Sequence, residues 1–254
     1  MCDIDYSSIT ELDISNESLT ELPDLRMYLN LKILKCSYNK LTKLDNLPYK
    51  LKYLECIHNK IIELDNLPNN LEELCCRNNK LTQLDNLPSG LKELNCSSNK
   101  IISLDNLPPN LKVLYCTDNK LTQLDNLPPN IDYLDCSLNL IKTMNNLPSN
   151  LKVLFCGNNK LTQLDNLPST LEKLFCNDNI IISLDNLPST LKVLECYFTS
   201  IKYLDKLPSG LIHLDCRHNK MPELEHLPQG LKILYSNGNL FTNIKNLPHF
   251  TKIY

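Results

Sequence analysis

Cysteine is the residue type in this chain whose spacing first suggests chemistry. The 254-residue sequence contains 12 cysteines. Ten of them recur every 20 residues: Cys36, Cys56, Cys76, Cys96, Cys116, Cys136, Cys156, Cys176, Cys196 and Cys216. None of the usual zinc-site spacings occurs among them. If each cysteine lies on one of a series of stacked strands, neighbouring thiols come within the distance range of a disulfide, so distance alone leaves bridging open.

Aspartate forms a second column with the same period. Its members are Asp45, Asp65, Asp85, Asp105, Asp125, Asp165, Asp185 and Asp205. Stacked carboxylates about 5 Å apart repel each other, and a cation such as calcium could relieve that repulsion. We favour the alternative that they are solvated or accept hydrogen bonds from backbone N–H groups of the following turn.

His213, Asp215 and His218 are the only residues whose proximity along the chain resembles an acid–base pair. A hydrolase or a metal-dependent enzyme using this region is therefore the alternative function. On an open sheet, however, these side chains would lack the enclosure that catalysis requires. We expect no enzymatic activity, no cofactor and no metal.

The elements that position these residues come from an uninterrupted repeat. Eleven 20-residue units fill 31–250 with the pattern L-K-x-L-x-C-x-x-N-K-L-T-x-L-D-N-L-P-x-x. Positions 4 and 6 are apolar and alternate with variable positions 3 and 5, which predicts one short strand per unit with one buried face. Strands separated by so long a return must run parallel. The proline at position 18 predicts an extended, polyproline-like or 3₁₀ return instead of an α-helix.

This arrangement predicts a single solenoid domain over 1–254. Residues 1–30 form an N-terminal cap that contains a degenerate 22-residue unit at 9–30, and 251–254 supply part of a final strand. Phe241, Phe250 and Tyr254 are expected to cover the last core layer. Since position 6 faces the core, we expect its thiols to be packed and reduced.

Units such as LKVLFCGNNKLTQLDNLPST, at 151–170, resemble the leucine-rich repeat consensus L-x-x-L-x-L-x-x-N-x-L. The 20-residue length and the L-x-x-L-P ending resemble the short repeats of secreted bacterial effectors. The residue usage is similar to that of repeat proteins of giant amoebal DNA viruses. The resemblance implies a horseshoe with a concave parallel sheet, a convex extended or 3₁₀ side and little or no α-helix. It also implies that the Asn of position 9 bonds backbone groups, so that Thr199 marks a weak unit.

Composition limits the possible partners. The net charge is -3 and the pI is about 6.0, which gives no basic surplus for nucleic acid. No apolar run approaches a membrane span, and the acidic start lacks the pattern of a signal peptide. We therefore expect a cytoplasmic protein in a reducing compartment, either of its own cell or of a host cell, with neither nucleic acid nor membrane as partner.

The variable positions 3, 5, 7 and 8 are free to encode a protein partner. Apolar and aromatic residues cluster there: Val113, Tyr115, Tyr133, Leu138, Val153, Phe155, Phe175, Val193, Tyr197 and Phe198. An acidic section with Glu55, Glu73 and Glu93 precedes them. Exposed aromatic clusters tend to mark interaction sites. The sequence therefore predicts a non-enzymatic interaction scaffold or recognition adaptor that binds a protein on its concave face. The thin C-terminal cap also leaves a weak end-to-end homodimer open.

Overall fold

The computed structural model describes residues 6–241, 244, 247–248 and 251–253. Phe250 and Tyr254, two of the three expected cap residues, lie outside this set. The chain divides into two compact units, of which the first ends at Lys120 and the second begins at Leu121.

The first unit is a stack of parallel strands, one per repeat. A 3₁₀ turn at Tyr6–Ser8 precedes β1 (Glu11–Asp13), β2 (Ile33–Lys35), β3 (Tyr53–Glu55), β4 (Glu73–Cys75), β5 (Glu93–Asn95) and β6 (Val113–Tyr115). Neighbouring strands pair in sequence order and in register, so that Leu34 lies beside Leu54 and Leu54 beside Leu74. The parallel solenoid is thus confirmed, and the degenerate unit at 9–30 contributes β1 to the stack.

The second unit repeats the same architecture. It contains β7 (Tyr133–Asp135), β8 (Val153–Phe155), β9 (Lys173–Phe175), β10 (Val193–Glu195), β11 (His213–Asp215), β12 (Ile233–Tyr235) and β13 (Lys252–Ile253). These strands are also parallel, and each places a given repeat position beside the same position of its neighbour. An in-register stack therefore converts each sequence column into a row of touching side chains.

The return segments are turns and extended chain. A representative turn has the Leu51 N–H donating to the carbonyl oxygen of Pro48 at 3.1 Å. The 3₁₀ turn at the N-terminus is the sole helical element among the described residues, which agrees with the expected lack of α-helix. None of the helical segments in that part of the chain has the length and apolarity needed to span a bilayer.

A second column explains why Asn occupies position 16. Asn46, Asn66, Asn86, Asn106, Asn126, Asn146 and Asn166 all have φ between 56° and 64°. Asn tolerates this left-handed backbone better than most residues because its short polar side chain bonds locally. The Asn of the D-N pair therefore has a conformational role in the return turn.

The core is built from the predicted apolar columns. Leu at position 4 is buried in every strand from β2 to β12, while the residues on either side of it are mostly half-buried. The ten column cysteines are fully buried free thiols, which confirms the packing prediction. Six of the Sγ atoms, those of Cys36, Cys56, Cys76, Cys96, Cys136 and Cys216, donate to a backbone carbonyl of the next coil, as Cys136 does to the Phe155 carbonyl oxygen at 3.3 Å.

The Asn of position 9 ties its own coil to the preceding one. The Asn59 Nδ2 donates to the carbonyl oxygens of Cys36 and Cys56, and its Oδ1 accepts the Leu41 N–H at 3.0 Å. Thr199 breaks this row. Its hydroxyl contacts the Cys196 carbonyl oxygen at 3.0 Å and the Asn219 Oδ1 at 2.5 Å, but it is too short to reproduce the amide's bonds to the preceding coil.

Candidate functional site

The strand face of the second unit is the sheet surface formed by repeat positions 3 and 5, opposite the core. At its centre Phe155 and Phe175 stack with ring centroids 4.0 Å apart and planes 2° from parallel. Tyr133 leans against Phe155 at 5.7 Å and 39°. The stack forms because register pairs position 5 of β8 with position 5 of β9. Val153 and Val193 extend this apolar surface along position 3.

Carboxylates lie at both ends of the phenylalanine stack. Asp135 pairs in register with Phe155, and Glu195 pairs with Phe175. Burial raises the pKa of Glu195, and the attraction of His213 opposes that rise only in part. The His213 Nε2 is 3.7 Å from the Glu195 Oε1, so the two groups form at most a loose ion pair.

Position 8 forms the edge of the strand face, and its backbone is left-handed throughout the second unit. Most units carry Asn, Asp, His or Gly there, but Leu138 has φ 54° and Phe198 has φ 49°. Both donate their N–H to the next coil, to the carbonyl oxygens of Gly157 at 3.0 Å and Arg217 at 3.1 Å. Bulky side chains in this conformation are strained. Their side chains are nevertheless 50% and 52% exposed.

Phe198 continues into a second aromatic stack along this edge. Its ring lies 4.4 Å from that of His218 with the planes 2° apart, and Tyr197 meets it edge-on at 5.9 Å. In the next coil Gly238 leaves room for the histidine, since a Cβ there would lie 2.4 Å from the His218 Nδ1. The glycine thus permits the stack as well as the φ of 76°.

Arg217 lies between two tyrosines. Its Cζ is 5.4 Å from the Tyr197 ring centroid and 5.0 Å from that of Tyr235. Asp215 fixes the guanidinium through both carboxylate oxygens, with Nη2 to Oδ2 at 2.6 Å and Nε to Oδ1 at 2.9 Å. Tyr and Arg held rigidly in this way are the residue types that most often anchor interfaces.

The structure distributes the ten predicted site residues over both units. Val113 and Tyr115 lie on β6 of the first unit. Tyr133, Val153, Phe155, Phe175 and Val193 lie on the strand face of the second unit, whereas Leu138, Tyr197 and Phe198 lie at its edge.

Sequence reasoning missed Arg217, His218 and Tyr235 as members of this surface. The sequence signal for Arg217 was its place at position 7, one unit after Tyr197. A stacked column puts these two side chains directly beside each other.

The residues of the enzymatic alternative are engaged separately. Asp215 binds Arg217, His213 faces Glu195, and His218 stacks on Phe198. Within the described residues no group of three or more His, Cys, Asp or Glu side chains is placed to hold a metal ion. The aspartate column is largely exposed, and Asp65 accepts a hydrogen bond from the Asn86 amide at 3.3 Å.

Comparisons with known proteins agree with this architecture. The family model described as Leucine Rich repeats (2 copies) matches residues 89–129. YopM from Yersinia enterocolitica is 34% identical over 95% of this chain with a TM-score of 0.84, and this chain spans 58% of its length. No curated protein sequence matches the chain.

Two further solved structures match over larger shares of their own length. YopM from Yersinia pestis, a leucine-rich effector protein, is 31% identical with a TM-score of 0.79, over 93% of this chain and 74% of that protein. A Shigella effector leucine-rich repeat domain is 36% identical with a TM-score of 0.54, over 61% and 71%. With one strand per 20-residue coil, a buried cysteine column and an asparagine column bonded to the backbone, the chain belongs to the leucine-rich repeat family.

Proposed function

We propose that this chain is a non-enzymatic scaffold that binds a protein partner on the strand face of its second unit. The observation that carries the proposal is the Phe155–Phe175 stack, whose rings lie parallel at 4.0 Å on the outer side of the sheet. Aromatic rings that are already ordered lose little conformational entropy when a partner covers them.

Backbone strain at the edge of the same face supports this function. Leu138 and Phe198 hold exposed apolar side chains at a position where the φ favours Asn or Gly. A strained residue lowers the stability of the fold, and contact between its exposed side chain and a partner would offset that cost. Together with the Tyr197–Arg217–Tyr235 cluster, these residues give the face several anchors of the types common in interfaces.

We further propose that the protein works inside a cell, as an adaptor or an effector. The support is the row of free buried thiols, which suits a reducing compartment, and the similarity to the YopM and Shigella effector structures. The partners and biological process of those proteins are not transferred to this chain.

The test is partner capture with the Phe155→Ala, Phe175→Ala double variant. Extract from the cell type in which the protein is expressed is passed over immobilised wild type and variant, and bound proteins are identified by mass spectrometry. We expect the specific partner to bind at least about thirtyfold more weakly to the variant, a loss of about 2 kcal/mol. The melting temperature should change little, because the two rings lie outside the core.

The matched control is Tyr49→Ala with Tyr203→Ala, which removes two exposed aromatic residues from the return segments. This variant should retain the partner. Equal capture by the wild type and the phenylalanine variant would contradict the proposal, as would a large fall in melting temperature for the phenylalanine variant.

A further inference from the structure

Resting on the proposed function, we infer that the Phe155–Phe175 surface recognises an extended segment in which two cationic side chains flank an apolar one. The segment would cross the strands with its apolar side chain on the phenylalanine stack. Its two cations would reach Asp135 at one end and Glu195 at the other. Three observations lead to this chemistry: the order of charges, the state of those charges and the spacing of the strands.

Along position 5 of four consecutive strands, the side chains are acidic, aromatic, aromatic and acidic. Register places Asp135, Phe155, Phe175 and Glu195 side by side on four consecutive strands. The exposed Lys173 lies on β9, beside the middle of this row. A partner cation is therefore favoured at the two ends and repelled at the centre. An apolar residue suits the centre because it meets two parallel rings.

The two carboxylates differ from the next acidic group in the row. Asp215 is buried, and Arg217 binds both of its oxygens. Glu195 is half-buried, and its loose contact with His213 at 3.7 Å is the one ion pair that its carboxylate makes among the described residues. Asp135 accepts a backbone hydrogen bond from Ser137 at 3.0 Å. Partial burial disfavours the charged form of Glu195, and a cation from a partner would stabilise that form.

The spacing of the row fixes the pattern of the segment. Asp135 and Glu195 are three strand spacings apart, which is about 14 Å. In an extended peptide, residues i, i+2 and i+4 project to the same side, and i to i+4 spans about 13 Å. A cation at i, an apolar residue at i+2 and a cation at i+4 therefore match the row in both direction and length.

Synthetic peptides provide the probe. One fluorescent nine-residue peptide contains Lys-Ser-Phe-Ser-Lys at its centre, and a second contains Ser-Lys-Phe-Lys-Ser. The two have the same composition and charge, but the second directs its lysines to the side opposite the phenylalanine. Anisotropy titration with the full chain at low salt should give binding about fivefold tighter for the first peptide, the effect of two exposed ion pairs. Raising the salt concentration should reduce that difference.

Charge-neutralising variants assign the preference to the two carboxylates. Asp135→Asn with Glu195→Gln should remove the fivefold preference but retain weak binding that depends on the peptide phenylalanine. Glu73→Gln with Glu93→Gln neutralises another pair of carboxylates, on β4 and β5 of the first unit, and should leave the preference intact. Both variants are nearly isosteric, and circular dichroism checks that each is folded.

Equal affinity for the two peptides, or no binding of either, would overturn this inference. The same conclusion follows if the Asp135/Glu195 variant keeps the preference. If cellular partner capture still depends on Phe155 and Phe175 in those cases, the proposed function stands and only the assigned partner chemistry is wrong. If capture does not depend on them, the proposed function fails as well.

Discussion

At the residue scale, position 8 shows where stability and binding conflict. The backbone there is left-handed in every unit, and Asn158 adopts it with φ 53° where Leu138 has φ 54°. The leucine side chain is half exposed, so its removal loses little buried surface. Leu138→Asn should therefore raise the free energy of unfolding by about 1 kcal/mol.

Urea denaturation measures this change, and Asn158→Leu is the reciprocal control. The reciprocal variant should be less stable than wild type by a similar amount. Partner capture by Leu138→Asn should weaken even though the protein is more stable. A loss of stability in Leu138→Asn would show that the leucine packs against the fold. It would contradict the proposed backbone strain at this residue.

Thr199 is a second residue whose replacement should stabilise the fold. In the neighbouring coil, the Asn179 Nδ2 donates to Cys156 and Cys176, and its Oδ1 accepts the Leu161 N–H at 2.9 Å. Thr199→Asn would supply the equivalent bonds to the coil before it. We expect the free energy of unfolding to rise by about 1–2 kcal/mol, since these are buried backbone groups. Thermal and urea unfolding measure it, and Asn179→Thr should lose a similar amount; an unchanged midpoint in both would contradict the role of the amide.

At the scale of the elements, a repeat sequence predicts the average coil well. The alternation at positions 3 to 6 correctly indicated strands with a buried Leu154 at the centre and a buried Cys156 directly after the last strand residue. The constant period indicated parallel, in-register pairing. Every unit repeats this evidence, so local exceptions such as Thr199 do not obscure it. The buried cysteine column followed from the same reasoning, because its side chains face the core in every coil.

Features that depend on contacts between particular neighbours were not predicted. The left-handed backbone at position 8 accompanies hydrogen bonds to the next coil, as at Leu138 and Phe198. The parallel stacking of Phe155 on Phe175 and the placement of Arg217 between two tyrosines depend on side-chain rotamers. A sequence column specifies which side chains are neighbours, but it does not specify the geometry in which they meet.

At the scale of the whole molecule, the cysteine column couples stability to alkaline pH. Burial raises the pKa of the thiols from 9.0 to about 12 at Cys36, Cys176 and Cys216, and it also raises the pKa well above 9.0 at Cys56, Cys136 and Cys156. The folded protein therefore keeps these protons at a pH where the unfolded chain has released them. For Cys36, Cys176 and Cys216 this stabilisation is complete below pH 9 and is lost as the pH rises from 9 towards about 12.

Cys176→Ala with Cys216→Ala tests this coupling. Each buried thiol contributes a slope of about 1.4 kcal/mol per pH unit to the free energy of unfolding above pH 9. Above pH 9 the slope of the free energy of unfolding against pH should therefore be shallower in the double variant than in wild type, by roughly 3 kcal/mol per pH unit. At pH 7 the variant should be less stable than wild type because the substitutions leave cavities. Ile181→Val removes a buried methyl without removing a titratable group, so its curve should lie below that of wild type and parallel to it. Urea denaturation at a series of pH values from neutral to alkaline gives all three curves. Parallel curves for the cysteine variant and wild type would mean that the thiols ionise equally in the folded and unfolded states, contrary to the burial of the column.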